Sequence, residues 1–246
     1  MRLFNLFNRR LKKHIMDNYC TLVIGDRGAG KSTLFAFIAE QFNKKGYSVY
    51  CQYPYDGVYM IPMIPRTVDG VTKYDIDKNW LYSADLHDCV VLIDECRTIW
   101  PARSYAKWSQ SDDEFFNFLR KYNIRLFLAT QIYDAVDLNV KRASDETYYL
   151  TKGLFNFTHI EASHTTVAKV ADKNTEVLGR RFKQGLQKVV YDICEVPSGN
   201  FRFWRKPYYG KFDTLYTYDE KKAHTPVLWN DHFDFKTGEV IPGPST

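Results

Sequence analysis

The sequence predicts an α/β fold with a mostly parallel central sheet and helices on both faces, and three observations predict it. The runs Thr21-Leu22-Val23-Ile24, Val90-Val91-Leu92-Ile93 and Ile124-Arg125-Leu126-Phe127-Leu128-Ala129 have the aliphatic content of strands buried on both sides. Leu34, Phe35, Phe37, Ile38 and Phe42 follow the first run at helical spacing. Between that strand and that helix stands Gly25-Asp26-Arg27-Gly28-Ala29-Gly30-Lys31-Ser32, which matches the phosphate-binding pattern G-x-x-x-x-G-K-[ST].

The chain is organised around this strand, loop and helix, Tyr19 to Phe37. The loop needs glycines because its backbone N–H groups must converge on phosphate oxygens, in conformations where a Cβ would clash. A helix beginning near Lys31 adds its positive dipole end. Gly25, Asp26, Arg27, Gly28, Ala29, Gly30, Lys31, Ser32 and Thr33 are therefore the candidate nucleotide-binding residues. Lys31 is expected to reach the β- and γ-phosphates of ATP, and Ser32 to ligate Mg²⁺.

Val90 to Glu95 supplies a second chemical centre. Its carboxylates fall at the C-terminal end of a buried strand, which lies beside the phosphate loop in doubly wound sheets. Asp94 is expected to hold Mg²⁺ through water, and Glu95 to orient or deprotonate the attacking water. Alone, an aliphatic run followed by Asp-Glu is often just a strand ending in solvent. Downstream of a phosphate loop it becomes a site. Thr130 and Gln131 end the run that begins at Ile124; they either sense the γ-phosphate and position water, or simply cap a turn.

At 246 residues with 45% apolar content, the chain is long enough for one large α/β domain and a smaller appendage. A net charge of +5 permits contact with nucleic acid or an anionic membrane without demanding either. The 18 Tyr and 17 Phe argue against disorder over most of the length. The five cysteines show no C-x-x-C spacing, and Cys20, Cys51 and Cys89 fall at buried strand positions, which fits a reducing cytoplasm. No apolar run approaches the roughly 18 to 20 residues that span a bilayer, and Asn5, Asn8, Arg9 and Arg10 break any signal-peptide pattern. The expected location is the cytoplasm, free or peripheral at the inner face of a membrane.

Residues 1–17 read as a basic amphipathic helix, with Leu3, Phe7, Leu11 and Ile15 recurring every fourth residue. Either it packs on the domain with its charges in water, or residues 1–16 meet anionic lipid or DNA. Residues 18–151 form the ATPase core. Within it Tyr47 to Gln52 is a second strand, and 53–82, broken by Pro54, Pro62, Pro65, Asp56-Gly57 and Asp69-Gly70, is an insertion on the sheet edge. A short hairpin is expected there, at Val58–Ile64 and Thr72–Ile76. Glu114 to Tyr122 reads as a helix, Asp134 to Arg142 as a helix or extended turn, and Thr147 to Leu150 as a fifth core strand. Residues 152–222 read as a β-rich extension with short antiparallel runs (Phe155–Ile160, Thr165–Val170, Lys188–Cys194, Asn200–Trp204) and a turn at Pro197-Ser198-Gly199-Asn200. Arg180, Arg181, Lys183 and Lys188 form a basic cluster, and 223–246 reads as a tail ordered only by docking.

These residues resemble the zonula occludens toxin-like (Zot-like) ATPases, the assembly and export motors of filamentous phages related to the FtsK/HerA DNA pumps. The resemblance runs through the phosphate loop, Leu92-Ile93-Asp94-Glu95 with Trp100, Phe118-Leu119-Arg120, Ala129-Thr130-Gln131 and Pro207-Tyr208-Tyr209-Gly210-Lys211-Phe212-Asp213-Thr214, and so covers residues 18–218. It implies an additional-strand, RecA-like P-loop NTPase fold in which the Gln131 strand lies between the phosphate-loop strand and the Asp94 strand. It also implies a ring of identical subunits, commonly a hexamer, with an arginine reaching a neighbour's γ-phosphate; a planar cation there neutralises charge on the transferred group. Arg142 is the first candidate and Arg120 the second, with Arg97 and Arg103 also open. Phage proteins with these motifs usually continue into a transmembrane helix. The expectation here is that a capsid or membrane assembly protein docks the chain, or that the motor packages DNA into a preformed capsid.

The leading expectation is thus a viral or phage ATPase that drives DNA translocation during virion assembly or extrusion. Genome packaging into an icosahedral shell and a nucleotide-gated scaffold without translocation are the alternatives. A small-molecule kinase lacks identifiable lid arginines and an acceptor pocket.

Overall fold

The computed structural model describes residues 2–53, 57–68, 71–83, 86–102, 108–170, 190–212, 232–234 and 239–241. Arg103, the cluster Arg180–Lys188 and most of 223–246 lie outside them. The chain opens with α1 (Arg2–Ile15) and β1 (Cys20–Gly25), followed by α2 (Lys31–Asn43) and β2 (Ser48–Cys51). The insertion contributes β3 (Tyr59–Met60), the hairpin β4 (Met63–Val68) and β5 (Val71–Ile76), and the single turn α3 (Lys78–Leu81). The core resumes with β6 (Cys89–Ile93), α4 (Gln110–Phe118), β7 (Arg125–Thr130), α5 (Leu138–Ala143) and β8 (Glu146–Lys152). The extension consists of β9 (Phe157–Val170) and β10 (Val190–Trp204), and two short strands, β11 (His232–Asp234) and β12 (Glu239–Ile241), come last.

Ten strands form one sheet in the order β10-β9-β8-β1-β7-β6-β2-β3-β11-β12. The pairings among β8, β1, β7, β6, β2 and β3 are parallel, and β9–β10 and β11–β12 extend the two edges antiparallel. The apolar-rich strands β1, β7 and β6 take the centre because both of their faces are covered. Strand side chains alternate, so each run feeds two cores. Val23, Val90, Leu92, Phe127 and Ala129 point to one face, where α1 and α2 pack through Leu11, Ile15, Leu34, Phe35 and Ile38. Leu22, Val91, Ile93, Leu126 and Leu128 point to the other, against Trp80 and Leu81 of α3, Phe115 and Phe116 of α4, and Val140 of α5. This is the expected α/β P-loop NTPase fold, with β7 between β1 and β6.

The basic N-terminal helix packs on the domain. Leu11 and Ile15 are fully buried, each worth roughly 1.5–3 kcal/mol of transfer free energy. Asn8 brackets the Trp204 backbone, accepting from its N–H at 3.0 Å and donating to its carbonyl at 3.4 Å. His14 lies 3.2 Å from the buried Glu146 carboxylate and packs against the Phe201 ring at 4.9 Å. Arg9, Arg10 and Lys13 remain exposed.

Several sequence expectations change at the edges. The four short runs of the extension are two long strands, because what reads as a turn at Pro197–Asn200 is a bulge inside β10, where the register with β9 shifts. Of the insertion, β3 joins the main sheet beside β2, and only β4 and β5 form a separate hairpin. α4 starts at Gln110 rather than Glu114, because Ser109 and Asp112 form a capping box ahead of the apolar face. The tail contributes β11, which pairs with β3 at His232 and Tyr59. Among the described residues no helix is long and apolar enough to cross a membrane.

Candidate active site

The phosphate loop leaves β1 at Gly25 and enters α2 at Lys31. Gly28 and Gly30 adopt positive φ, 80° and 108°, where a side chain is strained. Gly30 is also hemmed in, since a Cβ there would come within 2.6 Å of Thr158 Oγ1 and 2.8 Å of Arg205 Cδ. These two neighbours brace the loop from the extension. Thr158 donates its hydroxyl to the Ala29 carbonyl at 2.6 Å, and Arg205 donates from Nη1 to the Gly28 carbonyl at 3.0 Å. Those carbonyls are held from outside, and the Ala29 N–H donates within the loop to the Asp26 carbonyl at 3.1 Å. Sequence reasoning misses both braces: Thr158 is an ordinary strand residue and Arg205 one arginine among many, and each lies more than a hundred residues from the loop in sequence.

Lys31 is 9% exposed, and its ammonium donates to the carbonyls of Gly25 at 2.7 Å and Asp26 at 3.2 Å. Burial lowers its pKa, while the charges of Asp94, Glu95 and Asp26 oppose that shift. Burial likewise raises the Asp94 pKa, against the attraction of Lys31 and the Glu95 N–H that donates to Asp94 Oδ1 at 3.0 Å. The lysine and the two carboxylates thus share one field at the C-terminal rim of β1 and β6. Asp26 and Arg27 are exposed on the loop, and Thr33 turns back to donate to the Gly30 carbonyl at 2.8 Å.

Asp94 and Glu95 lie just past the end of β6 rather than inside it. Glu95 takes a left-handed conformation, φ 51° and ψ 52°, which costs about 1 kcal/mol or more for a residue with a Cβ. Three side chains hold its carboxylate. Thr130 Oγ1 lies 3.2 Å from Oε1, its one proton shared between that oxygen and the Ile132 carbonyl at 3.3 Å, Gln131 Nε2 donates to Oε2 at 3.3 Å, and Arg97 Nε pairs with Oε1 at 2.7 Å. Thr130 and Gln131 are thus gathered onto Glu95, rather than only capping a turn. Tyr53, beyond the end of β2, also belongs to this neighbourhood. Burial, with the nearby charges of Asp94 and Glu95, pushes its hydroxyl up to about 12.

The arginine candidates separate. Arg97 is engaged with the chain's own Glu95. Arg120 lies over the Tyr19 ring at 5.3 Å, ahead of β7, and Arg142 is exposed at the end of α5, ahead of β8. Both sit toward the rim where the parallel strands begin, away from the chain's own phosphate loop.

The donor set fits a magnesium nucleotide. Glycines at positive φ, a buried ammonium and one desolvated carboxylate beside it suit a triphosphate with a cation that keeps several waters and takes few protein ligands. Among the described residues no cluster of three or more His, Cys, Asp or Glu side chains forms a metal site independent of a substrate.

The family model for zonular occludens toxin (Zot) matches residues 61–190, more than half of the chain. The chain belongs to the Zot family. The matched segment contains Asp94, Glu95, Thr130 and Gln131 and begins after the phosphate loop. Among solved structures, the N-terminal domain of zonular occludens toxin from Neisseria meningitidis is 14% identical, with a TM-score of 0.49, over 80% of this chain and all of that one. The genome packaging NTPase B204 of Sulfolobus turreted icosahedral virus 2, in complex with ATP-gammaS, is 15% identical with a TM-score of 0.43, over 56% of this chain and 76% of that one. The flagellar accessory protein FlaH of Methanocaldococcus jannaschii is 16% identical with a TM-score of 0.43, over 65% of this chain and 85% of that one. No curated protein matches this Zot-family chain in sequence.

Proposed function

We propose that this Zot-family protein is a magnesium-dependent ATPase that drives DNA movement during virion assembly or extrusion. The observation that carries the reading is the Glu95 carboxylate, gripped by Thr130, Gln131 and Arg97 beside the charges of Lys31 and Asp94. An acid merely ending a strand in solvent would not draw a threonine and a glutamine from the next strand.

In this mechanism the N–H groups of Gly28, Gly30, Lys31 and Ser32, at the N-terminal end of α2, bind the β- and γ-phosphates. Lys31 exchanges its present carbonyl partners for phosphate oxygens. Ser32 and Asp94 would hold Mg²⁺, which when bound offsets charge on the phosphates. Glu95 accepts the proton of the attacking water, and Thr130 and Gln131 fix its direction. Charge developing on the transferred group needs a further cation. Arg142, with Arg120 as second choice, is proposed to supply it to a neighbouring subunit in a ring, commonly of six.

DNA as substrate rests on family membership. The apolar side chains Leu11 and Ile15 of α1 are used inside the protein, while Arg9, Arg10 and Lys13 are exposed, and these three offer an electrostatic contact to an anionic membrane. ATP turnover measured with and without single- and double-stranded DNA tests the reading. Stimulation by DNA that weakens with salt is expected. Turnover indifferent to DNA, with no binding at low salt, would leave a nucleotide-gated scaffold as the better account.

A further inference from the structure

We propose that the turn at Leu154–Asn156, with Tyr209, receives the base of the nucleotide and so extends the site beyond the phosphate cradle. The proposal rests on the reading of Gly25–Ser32 as that cradle. Leu154 and Phe155 are 79% and 83% exposed, the highest values among the large apolar side chains described. They occupy the tip of the β8–β9 hairpin, where the Phe157 N–H donates to the Leu154 carbonyl at 3.0 Å. The two central residues of that turn, Phe155 and Asn156, have φ of 51° and 64°. Such a turn favours Asn-Gly. A phenylalanine there carries steric strain and buries little surface in return. Neither local propensity nor packing accounts for it, whereas a ligand contact does.

The turn is wired to the phosphate loop. The Asn156 carbonyl accepts from the Arg205 N–H at 3.0 Å and from Arg205 Nε at 3.4 Å, and the same guanidinium holds the Gly28 carbonyl at 3.0 Å. The Tyr209 hydroxyl lies 3.2 Å from Asn156 Oδ1, while the residue remains 47% exposed. From Arg205 the chain then follows the flank of α2: Tyr208 packs edge-on against Phe37 at 5.4 Å, and Lys211 pairs with Glu40 at 2.6 Å. Asn156 is therefore the hub that ties two exposed aromatic side chains, through Arg205, to the Gly28 carbonyl of the cradle. A nucleotide with its phosphates on Gly28–Lys31 projects its base out of the loop. A base needs a flat apolar face within that reach, and Phe155 and Tyr209 provide one.

Titration calorimetry on the full chain with Mg²⁺, using ATP and inorganic tripolyphosphate in parallel, tests this. Phe155→Asn removes the ring and supplies a residue at ease in the left-handed region, so the fold is not put at risk. It is expected to weaken ATP about tenfold while leaving tripolyphosphate within about twofold of wild type. Phe155→Trp, which keeps a ring, should bind ATP as wild type does. Equal losses for both ligands, or none for either, would overturn the proposal. A change in sedimentation with unchanged ATP affinity would also overturn it, assigning the turn to a subunit contact. Wild-type protein that binds neither probe would sink the cradle reading itself, a result separable from failure of the base site alone.

Discussion

Thr158 donates its hydroxyl to the Ala29 carbonyl across 2.6 Å, so a strand outside the parallel core holds the centre of the phosphate loop. The extension is thereby part of the site's framework. Together with Arg205 on Gly28, it fixes two loop carbonyls away from the space where phosphate oxygens belong.

Replacing Thr158 with Val keeps the shape and removes the donor, leaving a buried carbonyl unpaired. A loss of about 1–3 kcal/mol in unfolding free energy is expected from urea titration, with weaker ATP binding by calorimetry. Unchanged stability together with unchanged affinity would show that the strut is idle.

Glu95→Gln retains size and hydrogen-bonding capacity but cannot take a proton. ATP binding should persist, while steady-state turnover falls by a factor of about 10² to 10⁴. Thr130→Val and Arg97→Ala leave the carboxylate in place but unguided, so their losses should be smaller. Lys31→Ala, in contrast, should abolish binding. A Glu95→Gln protein that turns over ATP at the wild-type rate would remove Glu95 from the chemistry.

The parts of this architecture that the sequence makes legible are those with local signals. Val90–Ile93 and Leu126–Ala129 are unbroken apolar runs, and the spacing of Gly25, Gly30, Lys31 and Ser32 between a strand and a helix is specific to a phosphate cradle. What stays hidden depends on contacts between residues far apart in the chain. Nothing local marks Thr158 or Arg205 as loop supports. Pro197-Ser198-Gly199-Asn200 carries the residue types of a turn, yet a fourteen-residue partner strand absorbs them as a bulge. The Leu154–Asn156 turn escapes for the opposite reason: Phe155, at its first central position, has no turn preference, and it disguises the Asn that follows.

Asp94 gives a pH-dependent prediction. Its pKa is raised above 3.8, because burial outweighs the attraction of Lys31. The folded protein therefore holds this proton more tightly than the unfolded chain does. The associated stability is complete below the ordinary carboxylate value and is lost as pH rises through the folded one. At neutral pH the ionised carboxylate is a net cost in the free protein. Asp94→Asn should raise the thermal midpoint at pH 7 while abolishing turnover, and should flatten the decline in stability above about pH 4. A lower midpoint at pH 7 would mean that the charge is held favourably.

Asp112 gives the reverse case. Its side chain is fully buried and accepts from Trp100 Nε1 at 2.7 Å, Ser109 N at 2.9 Å, Ser109 Oγ at 2.7 Å and the Tyr82 hydroxyl, with Lys78 Nζ at 3.1 Å. Burial pushes the pKa up, but these donors prevail and hold it at about 2, against an ordinary 3.8. That difference corresponds to about 2 kcal/mol of stability, present at neutral pH and lost as pH falls from 3.8 toward 2. Asp112 ties α4 to Trp100, and hence to the segment that leaves Glu95. Asp112→Asn puts an NH₂ where one of these donors now points, so a cost of about 2–4 kcal/mol is expected, together with a shallower acid transition. Urea titrations of both proteins at neutral and acid pH would show it: the gap between them should be widest near pH 7 and narrow as the wild-type carboxylate takes up its proton. A constant gap across that range would mean that the charge on Asp112 contributes nothing and that only its shape matters.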